Sequence, residues 1–548
     1  MPRHPRLQLV LGLLYALRVL LALSPAYIHP DEFFQGAEIA ASDILGISGQ
    51  RTWEFTSPQP VRSAAAIHVL QGPAFVLLRL LRDYLGVGLT PWRVFAAGRL
   101  GACLLTFLAD WCVWRVVRRA GGRPGTTAVV LASSGGALAF FSHGFANSAA
   151  AAVLAACLDL LDGVRRGQEG AARCLVLGGL LAFGGFVHVT FPLFALPLAL
   201  LALFSGMRPA LRVLLGGLLA STLLVLADSL YYGRLVVAPL NNLRYNADAD
   251  NLATHGQHPR YLHVLVSMPL VAGPLWAVFL WDACRGDLWT SGGMQGAAAA
   301  AATAGVAWLS LVGHQEPRFV VPALPAVVLA TWPRHRRLGG GFWALWAVVG
   351  LAVVVALGTV HQAGVVPATL RIASDSVLAS PSCVPLPNST DHLCAAADPS
   401  AATHPLPLPA NTGHQVTTFV FAWKTFMPPR HLLVQPSDSS SSGSSGGSDA
   451  ARVVVRDLVG LDAMQAGEAL RGMPQVGCAS VGAGALVVDE AFGRTVLLAP
   501  ASADVTSMGL RLRRVARDAP HVNFDHLAEV LRSPRSLAAL DTYVLCHD

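Results

Sequence analysis

Long apolar runs recur along the first two-thirds of the chain and are separated by short polar gaps. Each run approaches the roughly 20 residues that an α-helix needs to cross a bilayer. The runs predict membrane spans at residues 7–27, 94–114, 126–142, 147–163, 174–189, 191–206, 211–231, 264–282, 297–312, 319–332 and 341–359. The run at 319–332 is short, and 174–206 also fits one bent helix. We therefore expect an all-α polytopic membrane protein with about eleven transmembrane helices.

The run at 64–85 differs because His68, Gln71 and Pro73 interrupt it, and it predicts an interfacial or re-entrant helix. Arginines test this topology. They lie in alternate gaps, at Arg3, Arg6, Arg115, Arg118, Arg119, Arg123, Arg165, Arg166, Arg173, Arg208, Arg212, Arg285, Arg334, Arg336 and Arg337. Positively charged gaps face the cytosol, so the N-terminus is predicted to be cytosolic and the C-terminus lumenal. If 64–85 were counted as a span, the arginine cluster at 115–123 would fall on the lumenal side, against this rule.

Residues 1–27 also have the basic start and apolar core of a cleaved signal peptide. No convincing small-x-small cleavage site follows, and Arg18 interrupts the apolar core. A retained first helix is therefore favoured, and it leads directly into a polar lumenal loop.

The composition agrees with a membrane protein. Of 548 residues, 53% are hydrophobic and 13% are charged, whereas soluble domains carry about 25% charged residues. This excludes a disordered chain or a nucleic-acid-binding module, and it argues against an ordinary cytosolic enzyme. The net charge of +7 does not indicate a nucleic-acid partner, since Lys424 is the only lysine and the arginines are scattered between apolar runs.

The composition changes after residue 360, where Pro, Ser and Ala become frequent and short β-like runs follow. We predict a membrane module at 1–360 and, after it, a small lumenal α/β region. The predicted parts are lumenal loops at 28–92 and 232–263, a lumenal segment at 361–450, a Ser/Gly-rich linker at 437–449 and a C-terminal domain at 451–548.

Four cysteines fall after residue 360: Cys383, Cys394, Cys478 and Cys546. An even number on a non-cytosolic segment allows disulfides, and Cys383–Cys394 is the favoured single pair. Asn388 begins an Asn-Ser-Thr glycosylation sequon between those two. Together these features indicate the secretory pathway.

A first polar cluster follows the first span: His29, Asp31 and Glu32, with Pro30 fixing the backbone. It would end the helix as a polar cap, or it would supply a carboxylate, partly desolvated at the membrane edge, that acts as a general base toward a hydroxyl. The second alternative gives the cluster a catalytic role.

A second cluster, His314 to Phe319, lies at the lumenal end of the ninth predicted span. Glu316 and Arg318 would neutralise each other at a helix end, or Arg318 and His314 would bind a phosphate, because guanidinium offers a bidentate fork to phosphate oxygens. Both clusters have the same predicted side and depth. This coincidence favours one shared site.

The lumenal loop at 232–263 is rich in Asn, His, Arg and Tyr, residue types that bind sugar hydroxyls and stack on sugar rings. We predict that Tyr245, Asn246, His258 and Arg260 bind substrate. The pair Asp248 and Asp250 resembles a metal-binding motif, but such triplets are common in loops and no metal is expected. His188, in an apolar stretch, is expected to be a buried histidine with satisfied hydrogen bonds. Asp228 lies inside a span and is functional or paired.

The motifs at 29–35, 255–260, 314–319 and 424–433 resemble the dolichol-phosphate-mannose-dependent mannosyltransferases of the GT-C fold. Within that family, they look like the branch that adds the fourth mannose to GPI anchors. The resemblance covers roughly residues 1–435 and implies a GT-C helical bundle in the endoplasmic reticulum membrane.

The resemblance also implies a reaction and roles. Mannose would pass from dolichyl-phosphate-mannose to the third mannose of a GPI precursor, in an inverting α-1,2 transfer without cofactor or metal. Asp31 would be the base and Glu32 its helper. His314 and Arg318 would bind the donor phosphate, and His29 and Glu316 would contact substrate. A monomer is expected, with both lipid-linked substrates arriving through the bilayer.

Three alternatives remain open. Another lumenal mannosyltransferase, acting on the third GPI mannose or on an N-glycan precursor, would differ only in its acceptor. A polytopic transporter would have internal repeats and polar groups near the midplane, and neither is seen. A scaffold subunit that is catalytically inactive would be expected to lose the acidic pair, which this chain keeps.

Overall fold

The computed structural model describes residues 5–168, 170–248, 250–251, 256–290, 293–374, 381–385, 392–396, 417–435, 453–478, 485–488, 493–532 and 539–547. Most of the described chain is helical, and a small sheet follows the helices. Asn388 and the predicted linker at 437–449 lie outside the described residues.

The helices are α1 (Pro5–Ala22), α2 (Glu38–Leu45), α3 (Trp53–Thr56), α4 (Ala64–Leu85), α5 (Pro91–Arg119), α6 (Pro124–Ser133), α7 (Gly135–Phe140), α8 (Ala146–Arg165), α9 (Ala171–Val187), α10 (Phe191–Leu203), α11 (Met207–Tyr232), α12 (Ala238–Ala247), α13 (Met268–Ala272), α14 (Leu275–Cys284), α15 (Asp287–Thr290), α16 (Met294–Leu311), α17 (Ala323–Thr331), α18 (Gly340–Val355), α19 (Val365–Ala373), α20 (Ala463–Leu470) and α21 (Leu527–Arg532). Short π-helical turns occupy Phe33–Ala37, His263–Ser267 and Ala356–Val360, and a 3-10 turn occupies Pro317–Val320.

Six helices are long and apolar enough to cross a membrane: α1, α4, α5, α8, α11 and the continuous helix Gly340–Val360. The count of eleven spans stays a prediction, because several of the predicted runs form helices of only 10–17 residues, such as α9 and α10. Contrary to the interfacial helix predicted at 64–85, α4 is continuous through Pro73 and its length and composition suit a span.

The core of the bundle is α8, of which 94% is buried. Its run of alanines from Ala149 to Ala156 lets α5, α9 and α10 pack closely around it. Glycines allow an equally close approach between α9 and α11: a Cβ at Gly178 would lie 1.8 Å from the Val213 carbonyl oxygen. Helix packing therefore depends on small residues in the spans.

One ion pair lies inside the bundle. Arg18 of α1 donates to Asp110 of α5 at 2.5 Å, and both side chains are almost completely buried. Phe107 and Phe141 lie against the guanidinium, 5.1 and 5.5 Å from its central carbon. Since charged side chains are rare in spans unless they are paired, this contact fixes α1 against α5.

The sheet is formed by β1 (Pro381–Pro385), β2 (His392–Ala396), β3 (Thr417–Ala422), β4 (Val453–Asp457), β5 (Val476–Gly477), β6 (Ala485–Val488), β7 (Gly493–Pro500), β8 (Leu512–Asp518) and β9 (Leu540–His547). Its order is β1-β2-β6-β5-β9-β7-β3-β4, and β8 also pairs with β9. A disulfide joins Cys478 and Cys546 beside the β5–β9 pair. The backbones of Cys383 and Cys394 are direct partners across β1 and β2.

The chain that follows β3 docks onto the end of the bundle where α1 ends. Phe426 packs against Tyr27 and His29, with ring centroids 5.2 and 6.3 Å apart. The buried carboxylate of Glu38 accepts hydrogen bonds from the backbone N–H groups of Arg430 and His431. The sheet region thus contacts the polar loop that follows α1.

Candidate active site

The two polar clusters meet in space although 287 residues separate their charged members. Asp31 lies in the first helical turn after α1, and Arg318 lies in the 3-10 turn Pro317–Val320. Arg318 donates through Nη1 to Oδ2 of Asp31 at 2.5 Å. The guanidinium is 9% exposed and the carboxylate 23%, so the pair is accessible only from one side.

Glu316 joins Arg318 to His314. Its Oε2 accepts from Nε of Arg318 at 2.5 Å, and its Oε1 accepts from Nε2 of His314 at 2.8 Å. The other ring nitrogen of His314 contacts the carbonyl of Gly256 at 3.3 Å. Because carboxylate and carbonyl oxygens only accept, both ring nitrogens of His314 donate, as in the imidazolium form.

His29 is in the opposite protonation state. Its Nδ1 accepts the backbone N–H of Asp31 at 3.2 Å, so the proton of the neutral ring lies on Nε2, which is 3.8 Å from Oε2 of Glu316. Burial and the charge of Arg318 lower the pKa of His29. His29 therefore adds a neutral donor to the cluster.

Gln35 donates a hydrogen bond to one of the two carboxylate oxygens of Asp31. It lies one helical turn after Asp31 and donates through Nε2 to Oδ2 at 2.5 Å, the oxygen that Arg318 also binds. The same Nε2 lies 3.2 Å from Oε1 of Glu54, which also accepts from Nε of Arg62 at 3.0 Å. Oδ1 of Asp31 lies 3.6 Å from Nδ1 of His29 and, among the contacts of the described residues, is not bound by Arg318 or Gln35.

These contacts set the titration of the cluster. Burial raises the pKa of Asp31, but the charge of Arg318, helped by that of Arg62, outweighs burial and lowers it. Burial also raises the pKa of Glu316, but the charge of Arg318 and the hydrogen bond from His314 outweigh burial and lower it. The hydrogen bond to Glu316 raises the pKa of His314 above 6.5. At neutral pH, both carboxylates are ionised.

Glu32 does not join this cluster. Its side chain is buried and accepts from Nη2 of Arg99 in α5 at 2.8 Å. The same Nη2 donates to the carbonyl of Ala26, and the guanidinium lies against Phe33 and Phe95. Burial raises the pKa of Glu32, and Arg99 works against it. This carboxylate anchors the loop to α5, and its predicted role in orienting the acceptor or holding Asp31 in place stays a prediction.

The predicted substrate-binding residues of the loop at 232–263 lie around the cluster, and each makes a different kind of contact. His258 accepts the backbone N–H of Gln315 and lies 5.9 Å from the His314 ring. Arg260 donates to the carbonyl of Leu311, at the end of α16. Tyr245 packs against Trp53, and the Asn246 amide donates to Asn242 within α12. Of these contacts, that of His258 with Gln315 reaches the cluster at 314–319 directly.

Three residues of the network were not predicted: Gln35, Glu54 and Arg62. The spacing of Gln35 from Asp31, one helical turn, could have indicated it. The other two lie in a loop whose sequence gives no sign of contact with Asp31. His188, predicted to be a buried histidine, contacts Asn147 and Thr190.

A cavity adjoins the network. Its lining combines polar Gln35 and Arg62 with apolar Leu70, Leu105 and Phe186. Such a mixed lining suits a ligand with a polar head and an apolar part. Within the described parts of the chain, no group of three or more His, Cys, Asp or Glu side chains is arranged to hold a metal ion.

Comparison with known proteins identifies the family. Residues 9–378 match the Alg9-like mannosyltransferase family. The chain belongs to this family. It is therefore a glycosyltransferase, and the membership predicted from the sequence motifs is confirmed.

Two relatives of this mannosyltransferase have names that carry a function. GPI mannosyltransferase 4 of Aspergillus oryzae is 32% identical over 94% of this chain and 93% of its own length. GPI alpha-1,2-mannosyltransferase 4 of Homo sapiens is 30% identical over 78% of this chain and 76% of its own. Among solved structures, ArnT from Cupriavidus metallidurans bound to undecaprenyl phosphate has a TM-score of 0.45 at 15% identity, over 68% of this chain and 66% of that one.

Proposed function

We propose that this mannosyltransferase transfers mannose from dolichyl-phosphate-mannose to the third mannose of a GPI-anchor precursor, in an α-1,2 linkage. The similarity to GPI mannosyltransferase 4 of Aspergillus oryzae over nearly the whole chain supports the acceptor. The observation that carries the chemistry is the direct pair between Asp31 and Arg318, which puts a carboxylate beside a phosphate-binding cation at one lumenal site.

Asp31 acts as the general base. Its Oδ2 is held by Arg318 and Gln35, so Oδ1 takes the proton from the acceptor 2-hydroxyl. The acceptor oxygen forms the new bond to C1 of the donor mannose while the bond from C1 to the phosphate oxygen breaks. The electron pair of that bond leaves with dolichyl phosphate. A single displacement of this kind inverts the β-linked donor into an α-linked product.

Arg318 and His314 stabilise the leaving phosphate. Nε of Arg318 binds Glu316, and Nη1 binds Asp31. Among the contacts of the described residues, this leaves Nη2 to donate to a phosphate oxygen. His314 carries its positive charge near neutral pH because Glu316 raises its pKa. When the donor phosphate draws Arg318 away from Asp31, the pKa of Asp31 rises and the carboxylate becomes a stronger base.

The finer membrane topology is part of the proposal. We infer a GT-C bundle of about eleven spans in the endoplasmic reticulum membrane, with a cytosolic N-terminus, a lumenal sheet region and a monomeric protein. The Cys478–Cys546 disulfide supports an oxidising compartment for the sheet. Because Phe426 contacts His29, the active site faces that same compartment.

The test is expression in cells that lack the activity adding the fourth GPI mannose, followed by mass analysis of GPI precursors. Wild type is expected to restore four-mannose lipids, and Asp31→Asn to lower the rate roughly 100-fold or more, since it keeps the shape but loses the base. Asp83→Asn is the control, because that carboxylate is exposed on α4 and bonds only to Arg79 and Arg82.

Two results would contradict the proposal. Full restoration by Asp31→Asn would remove Asp31 as the base. Failure of well-expressed wild type to form four-mannose lipids, with mannose appearing on a different acceptor, would replace the GPI acceptor with that one.

A further inference from the structure

An exposed aromatic pair lies at the rim of the site. The Trp53 and Tyr245 rings have centroids 4.6 Å apart and planes inclined by 37°. Trp53 remains 44% exposed although Tyr245 covers part of it. A large indole ring that keeps an open face in a polar loop is costly to leave in water, so it is suited to cover an apolar face of a ligand.

Trp53 is joined to the catalytic carboxylate by a short chain of contacts. The next residue, Glu54, and Asp31 both lie within hydrogen-bonding distance of the same nitrogen, Nε2 of Gln35. Arg62 donates to the same Glu54 oxygen, Oε1, that lies near Gln35, and the Glu54 side chain is 13% exposed. The indole therefore lies one residue away from a carboxylate that neighbours Asp31.

The loop that carries Trp53 is held in place before any ligand binds. Side chains of the loop at 232–246 donate to its backbone carbonyls: Arg234 to Ser57, Asn241 to Pro60, Asn242 to Val61 and Tyr232 to Arg62, at 2.8–3.1 Å. Asn241 and Asn242 thus support the loop. Such rigidity lowers the entropy cost of binding a flexible ligand.

Aromatic residues also collect at membrane surfaces, where they anchor helices. Trp92 represents that kind: it is 47% exposed at the first turn of the long span α5 and packs against Phe95 of the same helix. Trp53 differs because its partner Tyr245 comes from a separate loop helix and its neighbour Glu54 belongs to the Asp31 network. The setting of Trp53 is that of a binding site.

We propose that Trp53 and Glu54, with Tyr245 behind the indole, form a subsite for a pyranose ring of the acceptor glycan. The apolar face of the sugar stacks on Trp53, and a sugar hydroxyl donates to the Glu54 carboxylate. This rests on the proposed function and adds the residues that recognise the acceptor.

The experiment uses full-length protein in nanodiscs, dolichyl-phosphate-mannose and a synthetic GPI-type acceptor with three mannoses. Trp53→Ala is expected to raise the acceptor KM roughly 3- to 10-fold and leave the donor KM unchanged. Trp53→Phe is expected to recover most of the loss, because it keeps an aromatic face. Trp92→Ala, the matched exposed tryptophan, is expected to match wild type.

The unchanged donor KM of Trp53→Ala shows that the variant is folded. An unchanged acceptor KM in Trp53→Ala overturns the subsite while leaving the proposed function intact. An equal rise in both KM values, or an equal acceptor effect in Trp92→Ala, also overturns it, because either result indicates general membrane anchoring. A wild-type protein that does not use the three-mannose acceptor contradicts the proposed function instead.

Discussion

At the scale of the residue, neighbours in sequence have different environments. Asp31 faces Arg318, whereas Glu32, the next residue, faces Arg99 in α5. Successive residues of a helical turn point about 100° apart, so adjacency in the motif could not predict a shared role. The sequence motifs did predict that Asp31, His314 and Arg318 belong to one site, because their chemistry fits a phosphate-linked donor. Gln35, Glu54 and Arg62 could not be predicted from charge alone.

His314 gives a pH dependence to donor binding. Its pKa is raised above 6.5 by Glu316, so its charge is present at lower pH and is lost as pH rises through that raised pKa. We expect the donor KM to rise as the pH increases through this raised pKa, while His314→Gln shows a high donor KM with no such rise. Steady-state kinetics against pH with both proteins would measure this. A wild-type donor KM that stays flat there argues against His314 as a charged ligand.

The Glu32–Arg99 pair predicts a stability effect. Arg99→Leu leaves the buried Glu32 carboxylate without its partner, and breaking a buried pair costs roughly 3–5 kcal/mol. We expect a clear fall in melting temperature of the detergent-solubilised protein, and partial recovery in the double variant Glu32→Gln with Arg99→Leu. The double variant should also keep mannose transfer. Loss of transfer in Glu32→Gln at unchanged melting temperature would instead assign Glu32 to the substrate.

At the scale of the element, hydropathy predicted where apolar chain occurs but not where helices break. The predicted span at 126–142 divides at Ser134 into α6 and α7. Ser134 has extended backbone there, and its side chain accepts the N–H of Ala137 as the N-cap of α7. The span at 264–282 likewise breaks at Gly273, whose φ is +58°. Both breaks come from single polar or glycine residues, which an average of apolarity over a run does not detect.

Glu38 tests whether the sheet region supports the site. Its buried carboxylate accepts backbone N–H groups of Arg430, His431 and Gln50. Glu38→Ala leaves these donors unpaired, each at roughly 1–3 kcal/mol, so we expect a lower melting temperature and reduced transfer. Glu468→Ala, on exposed helix α20, is the control. Normal stability and activity of Glu38→Ala would show that the docking contact is dispensable.

At the scale of the whole molecule, the sheet draws on distant parts of the chain. β3 precedes the Ser/Gly-rich run, yet it pairs in parallel with β4 and β7, which follow that run. Short β-like runs in the sequence predicted strands after residue 451, but pairing across a long connection depends on tertiary packing and left β3 unpredicted. Because Phe426, which follows β3, packs against Tyr27 and His29, the loop after α1 and the sheet lie on the same side of the membrane.

Glycosylation of Asn388 would show which compartment the sheet region faces. If the sheet region is lumenal, the sequon at Asn388 is accessible to glycosylation, so we expect endoglycosidase treatment to increase the mobility of wild type. Asn388→Gln should have the same mobility with and without the enzyme. A sequon that is never used would be ambiguous alone, so a cysteine placed at Ser444, in a protein that also carries Cys284→Ser to remove the exposed native thiol, should be labelled by a membrane-impermeant maleimide only after the microsomes are opened. Labelling in sealed microsomes would contradict the orientation.

The Arg18–Asp110 pair also bears on how the protein enters the membrane. Each charge costs roughly 2.5–3.5 kcal/mol when a lone helix carries it at the bilayer centre. Because α1 emerges from the ribosome long before α5, Arg18 has no Asp110 to pair with while the residues between positions 18 and 110 are synthesised. The first helix is therefore only weakly committed to lipid until α5 arrives. We therefore expect that α1 must stay near the translocon or near an intramembrane chaperone until it packs against α5.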